Sequence, residues 1–222
     1  MKPSQMIQTF TDRYPLIGPA FWILSLQYYL VQVISAQAWS MPYSVQSNTI
    51  SDLGNTVCGL YAGRYVCSPL HSLMNASFIT LGITMVVGAV LIYQEFKESK
   101  ATFIGFTFMA IAGLGTLLVG LFPENGLVVL HVLGAALPFF VGNVGLIVLG
   151  ASLDIPSMLR YYTLVSGIVS LTALLFFITH TYLGIGIGGM ERLTAYPQTM
   201  WLIVFGIYIS SNHIRLRAAN NN

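Results

Sequence analysis

The sequence predicts an all-α polytopic membrane protein, a bundle of six transmembrane helices. Of its 222 residues, 55% are hydrophobic and 7% are charged, whereas soluble domains carry about 25% charged residues. A transmembrane helix needs about 20 mostly apolar residues. Six such runs occur, at residues 15–38, 72–93, 102–122, 127–149, 161–183 and 197–213. We expect one integral membrane domain over residues 1–222, and the net charge of +2 gives no indication of a nucleic-acid partner.

The first apolar run also raises the alternative of a cleaved signal peptide. Ala36, Gln37 and Ala38 have the small-x-small form of a cleavage site. A signal-peptide core, however, has only about 7 to 15 apolar residues, and the run at residues 15–38 is longer. We expect this run to remain as the first span.

The basic residues indicate the orientation of the bundle. Most of them fall on one side of the membrane: Lys2, Arg13, Lys97, Lys100, Arg160, Arg215 and Arg217. Arg64 and Arg192 fall on the other side. Because short cytoplasmic loops carry an excess of Lys and Arg, both termini are predicted to be cytoplasmic. The long loop 40–70 and the segments 123–126 and 184–196 then face outward, on the extracytoplasmic side of the cell membrane.

These three outer segments hold most of the unusual polar residues. They are Asp52, Arg64 and His71 in the first, Glu124 and Asn125 in the second, and Glu191, Arg192 and Tyr196 in the third. His131 and His180 are placed by the same topology within about one turn of the outer ends of spans four and five. We expect one outer layer of polar side chains.

Two spans carry polar stripes that predict which face is turned inward. Ser25, Tyr28, Gln32 and Ser35 form one stripe in span one, and Thr163, Ser166, Ser170, Phe177 and His180 form another in span five. Interhelical hydrogen bonding is the favoured interpretation of both stripes, because Ser and Gln commonly have that role in membrane bundles. Pro138 in span four lacks a backbone donor and predicts a kink.

The two cysteines predict a disulfide in the outer loop. Cys58 and Cys67 are the only cysteines, and an extracytoplasmic loop lies in an oxidising compartment. The Cys58–Cys67 bond would hold His71 and Asn75 at a set height above span two.

The outer histidines and carboxylates leave two interpretations open. A metal site would use His71, His131 and His180 as ligands, with Asp52, Glu124 or Glu191 completing or activating it. The sequence contains no HExxH or CxxC motif. The alternative, which we favour over a metal cofactor, is that these residues cap helix ends and hydrogen-bond one another.

Glu191 and Arg192 are adjacent, so they need different partners. Pairing of Arg192 with Glu124 or Asp52, and of Glu191 with His131 or His71, would compensate the buried charges. Such pairing could be a structural clasp or a carboxylate–histidine couple that orients a base.

One nearby segment has the form of a nucleotide-binding signature. The segment 184–189 (GIGIGG) matches GxGxxG, but it follows a transmembrane helix, with no strand before it. Its glycines are expected to let the backbone come close to the polar layer. No GxSxG elbow is present, and no serine near the layer is marked as a nucleophile.

Several motifs together resemble domain-of-unknown-function family 998. They are Ser51-Asp52-Leu53-Gly54, PLHSLMNASF from Pro69, VGLFPEN from Val119, the membrane-embedded His131, and GMERLTAYP from Gly189. The resemblance implies a six-helix bacterial or archaeal membrane protein, from a family without a settled biochemical activity. The residues that match the family pattern are Asp52, Glu124, His131, Glu191 and Arg192. The cysteine pair and His71 depart from it.

The leading functional hypothesis is a pocket that opens to the outer leaflet and binds a lipid or isoprenoid-type amphiphile. The candidate ligand-binding residues are Asp52, His71, Asn75, Asn125, Arg192 and Tyr196, and the candidate catalytic residues are His131, Glu124 and Glu191. An enzyme of this kind would hydrolyse or transfer a group at the lipid head, with His131 or Glu124 as base and Arg192 holding an anionic group.

A structural or accessory subunit that docks a membrane protein partner is the alternative. Transport is less favoured, because carriers place their polar site near the midplane.

Overall fold

The computed structural model describes residues 3–96 and 99–220 and is almost entirely helical. Its helices are α1 (Pro3–Arg13), α2 (Ile17–Ile23), α3 (Leu26–Gln37), α4 (His71–Tyr93), α5 (Lys100–Leu121), α6 (Val128–Ala136), α7 (Asn143–Ser152), α8 (Ser157–Ile178) and α9 (Gly186–Asn220). A 3₁₀ turn covers Ser51–Gly54. Two short strands, β1 (Gly59–Tyr61) and β2 (Arg64–Val66), pair antiparallel. The all-α prediction is confirmed.

Five helical segments of the described residues are long and apolar enough to cross a membrane. They are Ile17–Gln37, His71–Tyr93, Lys100–Leu121, Val128–Ser152 and Ser157–Ile178. They correspond to the first five predicted spans. The sixth predicted span lies within α9, which is not among the five and has Pro197 in its interior. Lys2 and Lys97, used to predict orientation, lie outside the described residues.

Tight helix contacts bring the bundle together. A Cβ atom added to Gly113 of α5 would lie 2.8 Å from the carbonyl oxygen of Gly82 in α4. Only glycine lets two helix backbones approach this closely, and small residues are typical of helix interfaces in membranes. The core between the helices includes Trp22 and Trp201, whose ring centroids lie 5.2 Å apart.

The polar stripe of span one is buried as predicted. Ser25, Tyr28, Gln32 and Ser35 are each no more than 5% exposed. In span five, Thr163, Ser166 and Ser170 are also buried, but the outer end of that stripe was placed wrongly. Helix α8 ends at Ile178, so that His180 lies beyond the helix and is exposed.

Pro138, at which a kink was predicted, lies in a widened turn of span four. Residues Leu137–Gly142 form a π-helical turn between α6 and α7. The Asn143 amide donates to the carbonyl of Phe139 at 2.9 Å. This bond supplies a hydrogen-bond donor to one carbonyl of the widened turn. π turns of this kind occur frequently at functional sites.

Candidate functional site

The 3₁₀ turn Ser51–Gly54 forms the centre of a layer of polar side chains at one end of the bundle. Asp52 is fully buried (0% exposed), and its carboxylate accepts hydrogen bonds from the Thr49 backbone N–H (3.0 Å) and the Asn48 amide (3.3 Å). The Thr49 hydroxyl in turn accepts from the Asp52 N–H at 3.0 Å. This reciprocal pattern is a local side-chain cap that fixes the turn.

Arg64 provides the charge partner of Asp52. Its Nη2 and Nε donate to the two carboxylate oxygens at 2.6 and 2.7 Å, a bidentate ion pair. Burial by itself would raise the pKa of Asp52, but the Arg64 guanidinium and the hydrogen bonds from Glu124 and the Thr49 N–H together outweigh burial and hold that pKa below its usual value. Asp52 is therefore an anion in the folded protein. The prediction that Asp52 pairs with Arg192 was wrong.

A β-hairpin holds Arg64 in place. Arg64 is the first residue of β2 and pairs with Tyr61 of β1 across a two-residue turn. The turn residues Ala62 and Gly63 both have positive φ (46° and 79°), which is the conformation of a type I′ turn. The Cys58–Cys67 disulfide closes the open end of the hairpin, as predicted. The disulfide loop thus positions Arg64.

Glu124 lies beside the ion pair. It is 7% exposed and accepts a hydrogen bond from the Asn55 amide at 3.1 Å. Burial raises the pKa of Glu124 to about 9, and the negative charge of Asp52 adds to the rise. Glu124 is consequently protonated at neutral pH. A protonated carboxyl can donate a hydrogen bond as well as accept one.

Glu191 and Arg192, near the start of α9, bind residues 43–51 of the loop between α3 and α4. The Glu191 carboxylate accepts from the backbone N–H of Ile50 and from the Ser51 hydroxyl (3.1 Å). The Arg192 guanidinium donates to three backbone carbonyls, those of Val45, Asn48 and Gly188, and to the Tyr43 hydroxyl.

The Arg192 guanidinium finds its hydrogen-bond acceptors in backbone carbonyls, those of Val45, Asn48 and Gly188. It does not need a carboxylate as a partner. The predicted pairing of Arg192 with Glu124 or Asp52 was therefore wrong.

His131 contacts Ser51. Its Nδ1 lies 2.8 Å from the carbonyl oxygen of Phe122, and its Nε2 lies 3.1 Å from Ser51 Oγ. Ser51 Oγ therefore lies between His131 Nε2 and a Glu191 oxygen. Glu191 and His131, which were predicted to pair directly, are linked by hydrogen bonds to this serine.

A groove with a volume of about 380 Å³ leads away from these polar residues. Its polar end is lined by Thr49, Ser51, Tyr61, Arg64, Glu124, His131 and Glu191. Its apolar walls come from α6, the π turn and the outer end of α8: Val128, Val132, Ala135, Ala136, Phe139, Leu174, Phe177 and Ile178. Val132 and Ile178 are 58% and 64% exposed, so the groove opens to the side of the bundle, where lipid would lie.

A smaller cavity, called the inner cavity, adjoins the groove. Its volume is about 40 Å³, and it is lined by residues from α3, α4, α5, the π turn and α9, including Tyr28, Thr116 and Gln198. This volume is sufficient for water, which needs about 10–15 Å³ and polar partners. Ser51 and Glu191 line both the groove and the cavity.

The predicted site residues divide into two groups. Glu124, His131 and Glu191 line the groove. Six others surround it or lie apart, and none of them lines it: Asp52, His71, Asn75, Asn125, Arg192 and Tyr196.

Of the residues outside the groove, Asn75 donates to the Gly54 carbonyl (2.9 Å), Asn125 bonds Thr56, and Tyr196 donates to Gln32 (2.8 Å). Their contacts are with the protein itself.

The three histidines do not form the metal site that one interpretation predicted. The ring of His71 bonds the Ser68 carbonyl at 2.9 Å, that of His180 bonds Tyr182 at 2.8 Å, and that of His131 bonds Ser51. Within residues 3–96 and 99–220, no group of three or more His, Cys, Asp or Glu residues could hold a metal ion.

Ser51 and Arg64 were the residues that sequence reasoning underestimated. Ser51 belongs to the SDLG motif, but only Asp52 of that motif was considered as a site residue. Arg64 follows an Ala-Gly pair flanked by tyrosines, a pattern that could have indicated a two-residue hairpin.

The fold and the site define a helical, membrane-embedded protein with a polar layer at one end of its bundle and a groove beside it. The chain belongs to the protein family of unknown function DUF998, whose family model matches residues 23–208. The resemblance found in the sequence motifs is thereby confirmed. No curated protein and no solved structure matches the chain.

Proposed function

We propose that the protein binds an amphiphile, with its polar head at Ser51, Arg64, Glu124 and His131 and its apolar tail between α6 and α8. The observation that carries this proposal is the groove, which joins a polar end to an apolar wall that is open to the side. Small-molecule sites typically have this form, mostly apolar with a few convergent polar groups.

The charges at the polar end favour an uncharged head group. Arg64 is paired with Asp52, and Arg192 is occupied by carbonyls and does not line the groove. A protonated Glu124 adds no charge. An anionic phosphate would therefore find no surplus cation, whereas a hydroxyl, ester or amide head finds hydrogen-bond donors and acceptors. This replaces the earlier expectation that Arg192 holds an anionic group.

The proposal includes a topology of six spans, with α9 as the sixth and both termini in the cytoplasm. Two observations support it. The Cys58–Cys67 disulfide favours an oxidising side for the loop 40–70, and the basic residues favour the opposite side for the termini. A reporter fused after Asn222 tests it. Fluorescence from a cytoplasmic reporter is expected, and activity of an exported phosphatase there would contradict the topology.

Photo-crosslinking tests the binding. Purified protein is reconstituted in vesicles with a lipid that carries a photoactivatable group in its acyl chain, and adducts are mapped by mass spectrometry. We expect adducts concentrated on α6 and α8 along the groove.

Val132→Trp should reduce these adducts strongly, because Val132 lines the groove. Val129→Trp is the matched control, since Val129 lies on the same helix, is 72% exposed and does not line the groove. Adducts spread evenly over the outer surface, and unaffected by Val132→Trp, would contradict the proposal.

A further inference from the structure

We propose that Ser51 is a nucleophile and His131 its general base, and that together they cleave a carboxylic ester whose acyl chain lies in the groove. This inference rests on the proposed function, because the groove must present the ester to Ser51. Three features of the described structure carry it: the geometry of the two side chains, their position in the groove, and the groups around them.

The hydrogen bonds of His131 fix its tautomer. The Phe122 carbonyl oxygen, 2.8 Å from Nδ1, can only accept a hydrogen bond. Nδ1 must therefore carry a proton. In a neutral imidazole the lone pair is then on Nε2, which lies 3.1 Å from Ser51 Oγ. An activated nucleophile has this arrangement, with a base in hydrogen-bond reach and a third group that orients the base.

Glu191 is the second neighbour of the Ser51 hydroxyl. One of its carboxyl oxygens accepts the Ile50 N–H, and the other lies 3.1 Å from Ser51 Oγ. The Ser51 hydroxyl has one proton, which it can donate either to Glu191 or to His131 Nε2. The proposed reaction uses the rotamer of Ser51 that donates to His131. Glu191 contributes by binding the Ile50 N–H, which fixes the backbone beside Ser51.

Both reacting side chains are accessible from the groove. Ser51 is half-buried, and both Ser51 and His131 line the polar end. Arg64 lines the same end, and its guanidinium has five N–H donors. Donors placed where negative charge develops are a large contribution to acyl transfer. The inner cavity behind Ser51 provides room for water.

The reaction balances without any further reagent except water. Ser51 Oγ attacks the ester carbonyl carbon while its proton passes to His131 Nε2. The bond from that carbon to the alkoxy oxygen breaks, the proton of His131 passes to this oxygen, and the alcohol leaves. Water then gives a proton to His131 and its oxygen to the acyl carbon, the bond to Ser51 Oγ breaks, and Ser51 regains the proton. The products are a fatty acid and an alcohol.

Fluorophosphonates test the proposal, because they form a stable adduct with an activated serine. The purified full-length protein, with its disulfide intact, is treated with a fluorophosphonate carrying a long alkyl chain and with one carrying only short groups. Intact mass and peptide mapping measure the adduct. We expect one adduct, on Ser51. Its rate of formation should fall about 100-fold or more in His131→Gln, as for the loss of a general base.

Control variants separate chemistry from folding. Ser47→Ala should label normally, because Ser47 is exposed and does not line the groove. Ser51→Ala should not label. If Ser51→Ala fails to fold, Ser51→Cys keeps a polar atom at this position. It should lose the fluorophosphonate adduct and gain reaction with a long-chain maleimide.

The two probes also separate this inference from the proposed function. In one outcome the short probe labels Ser51, and Val132→Trp does not change labelling by the long probe. This outcome would support Ser51 as a nucleophile and contradict binding of the acyl chain in the groove. Absence of a Ser51 adduct with both probes, in folded protein that still crosslinks lipid in the groove, would overturn the nucleophile and leave binding intact. An adduct that persists in Ser51→Ala would also overturn it.

Discussion

Glu191 and Arg192 are neighbours on α9, and both bind the same outer segment, residues 43–51. Arg192 donates to carbonyls at the beginning of this segment, and Glu191 accepts from the Ile50 N–H and the Ser51 hydroxyl at its end. Two buried ionisable residues thus hold a loop that contains the candidate nucleophile. Arg192 contacts only carbonyls and Tyr43, whereas Glu191 contacts Ser51 itself. Substitution of Arg192 should therefore affect mainly stability, and substitution of Glu191 should also affect the site.

Arg192→Lys is predicted to destabilise the protein without changing which head group is bound. A lysine cannot reproduce the planar fork that donates to the carbonyls of Val45, Asn48 and Gly188. The loss of hydrogen bonds from a buried charge should cost about 2 kcal/mol or more. Thermal unfolding in detergent measures it.

Arg160→Lys is the control, because Arg160 is exposed and makes one such bond, to Leu153. Equal melting temperatures for the two variants would contradict the prediction.

Glu124→Gln is predicted to flatten the pH dependence of stability. A glutamate in an unfolded chain has a pKa of about 4.3, whereas the pKa of Glu124 in the folded protein is about 9. Between these values the folded state keeps a proton that the unfolded state releases, so stability falls as the pH rises from about 4.3 to about 9.

Glutamine resembles the protonated acid but does not titrate. The variant therefore lacks the contribution of Glu124 to the fall of stability with pH. Unfolding temperatures measured from pH 5 to 9 test the prediction, with the exposed Asp154 changed to Asn as control. A slope unchanged by Glu124→Gln would contradict a raised pKa.

Removal of the disulfide is predicted to loosen the hairpin that carries Arg64. Disulfides typically contribute about 2–4 kcal/mol, and here the bond closes the hairpin that places Arg64 on Asp52. In the double variant Cys58→Ser and Cys67→Ser, we expect faster hydrogen exchange in residues 59–66 and a lower melting temperature. Exchange in α4 and α5 serves as the internal reference. Unchanged exchange in the hairpin would show that the ion pair holds it without the disulfide.

Gly188→Ala is predicted to prevent docking of the outer loop on α9. A Cβ atom at this position would lie 2.1 Å from the Asn48 carbonyl oxygen, whereas one at Gly189 would lie no closer than 3.1 Å to its neighbours, which are atoms of the Ile185 side chain. We expect Gly188→Ala to lower the melting temperature and the fluorophosphonate labelling of Ser51, and Gly189→Ala to have a much smaller effect. Similar stability for the two variants would contradict the close contact.

The site was predicted from the sequence only as a set of residues in one layer. Topology was enough to bring Glu124, His131 and Glu191 together, because each lies at a helix end on the same side of the bundle. The partners were different from those expected. A charge in a sequence can be assigned to any opposite charge nearby, but it can also be satisfied by backbone carbonyls, as Arg192 is.

What the sequence by itself determined is the class of protein and the five helices that are long and apolar enough to cross a membrane. Long apolar runs and sparse charges permit few other folds, and the inward faces of spans one and five followed from helical periodicity. Only the tertiary structure decided that Arg64, not Arg192, faces the groove, and that Ser51 lies between His131 and Glu191. The physical reason is that these contacts join residues far apart in the chain through hydrogen bonds of restricted length and direction. Such bonds depend on the folded geometry of the loop, and they leave no periodic pattern in the sequence.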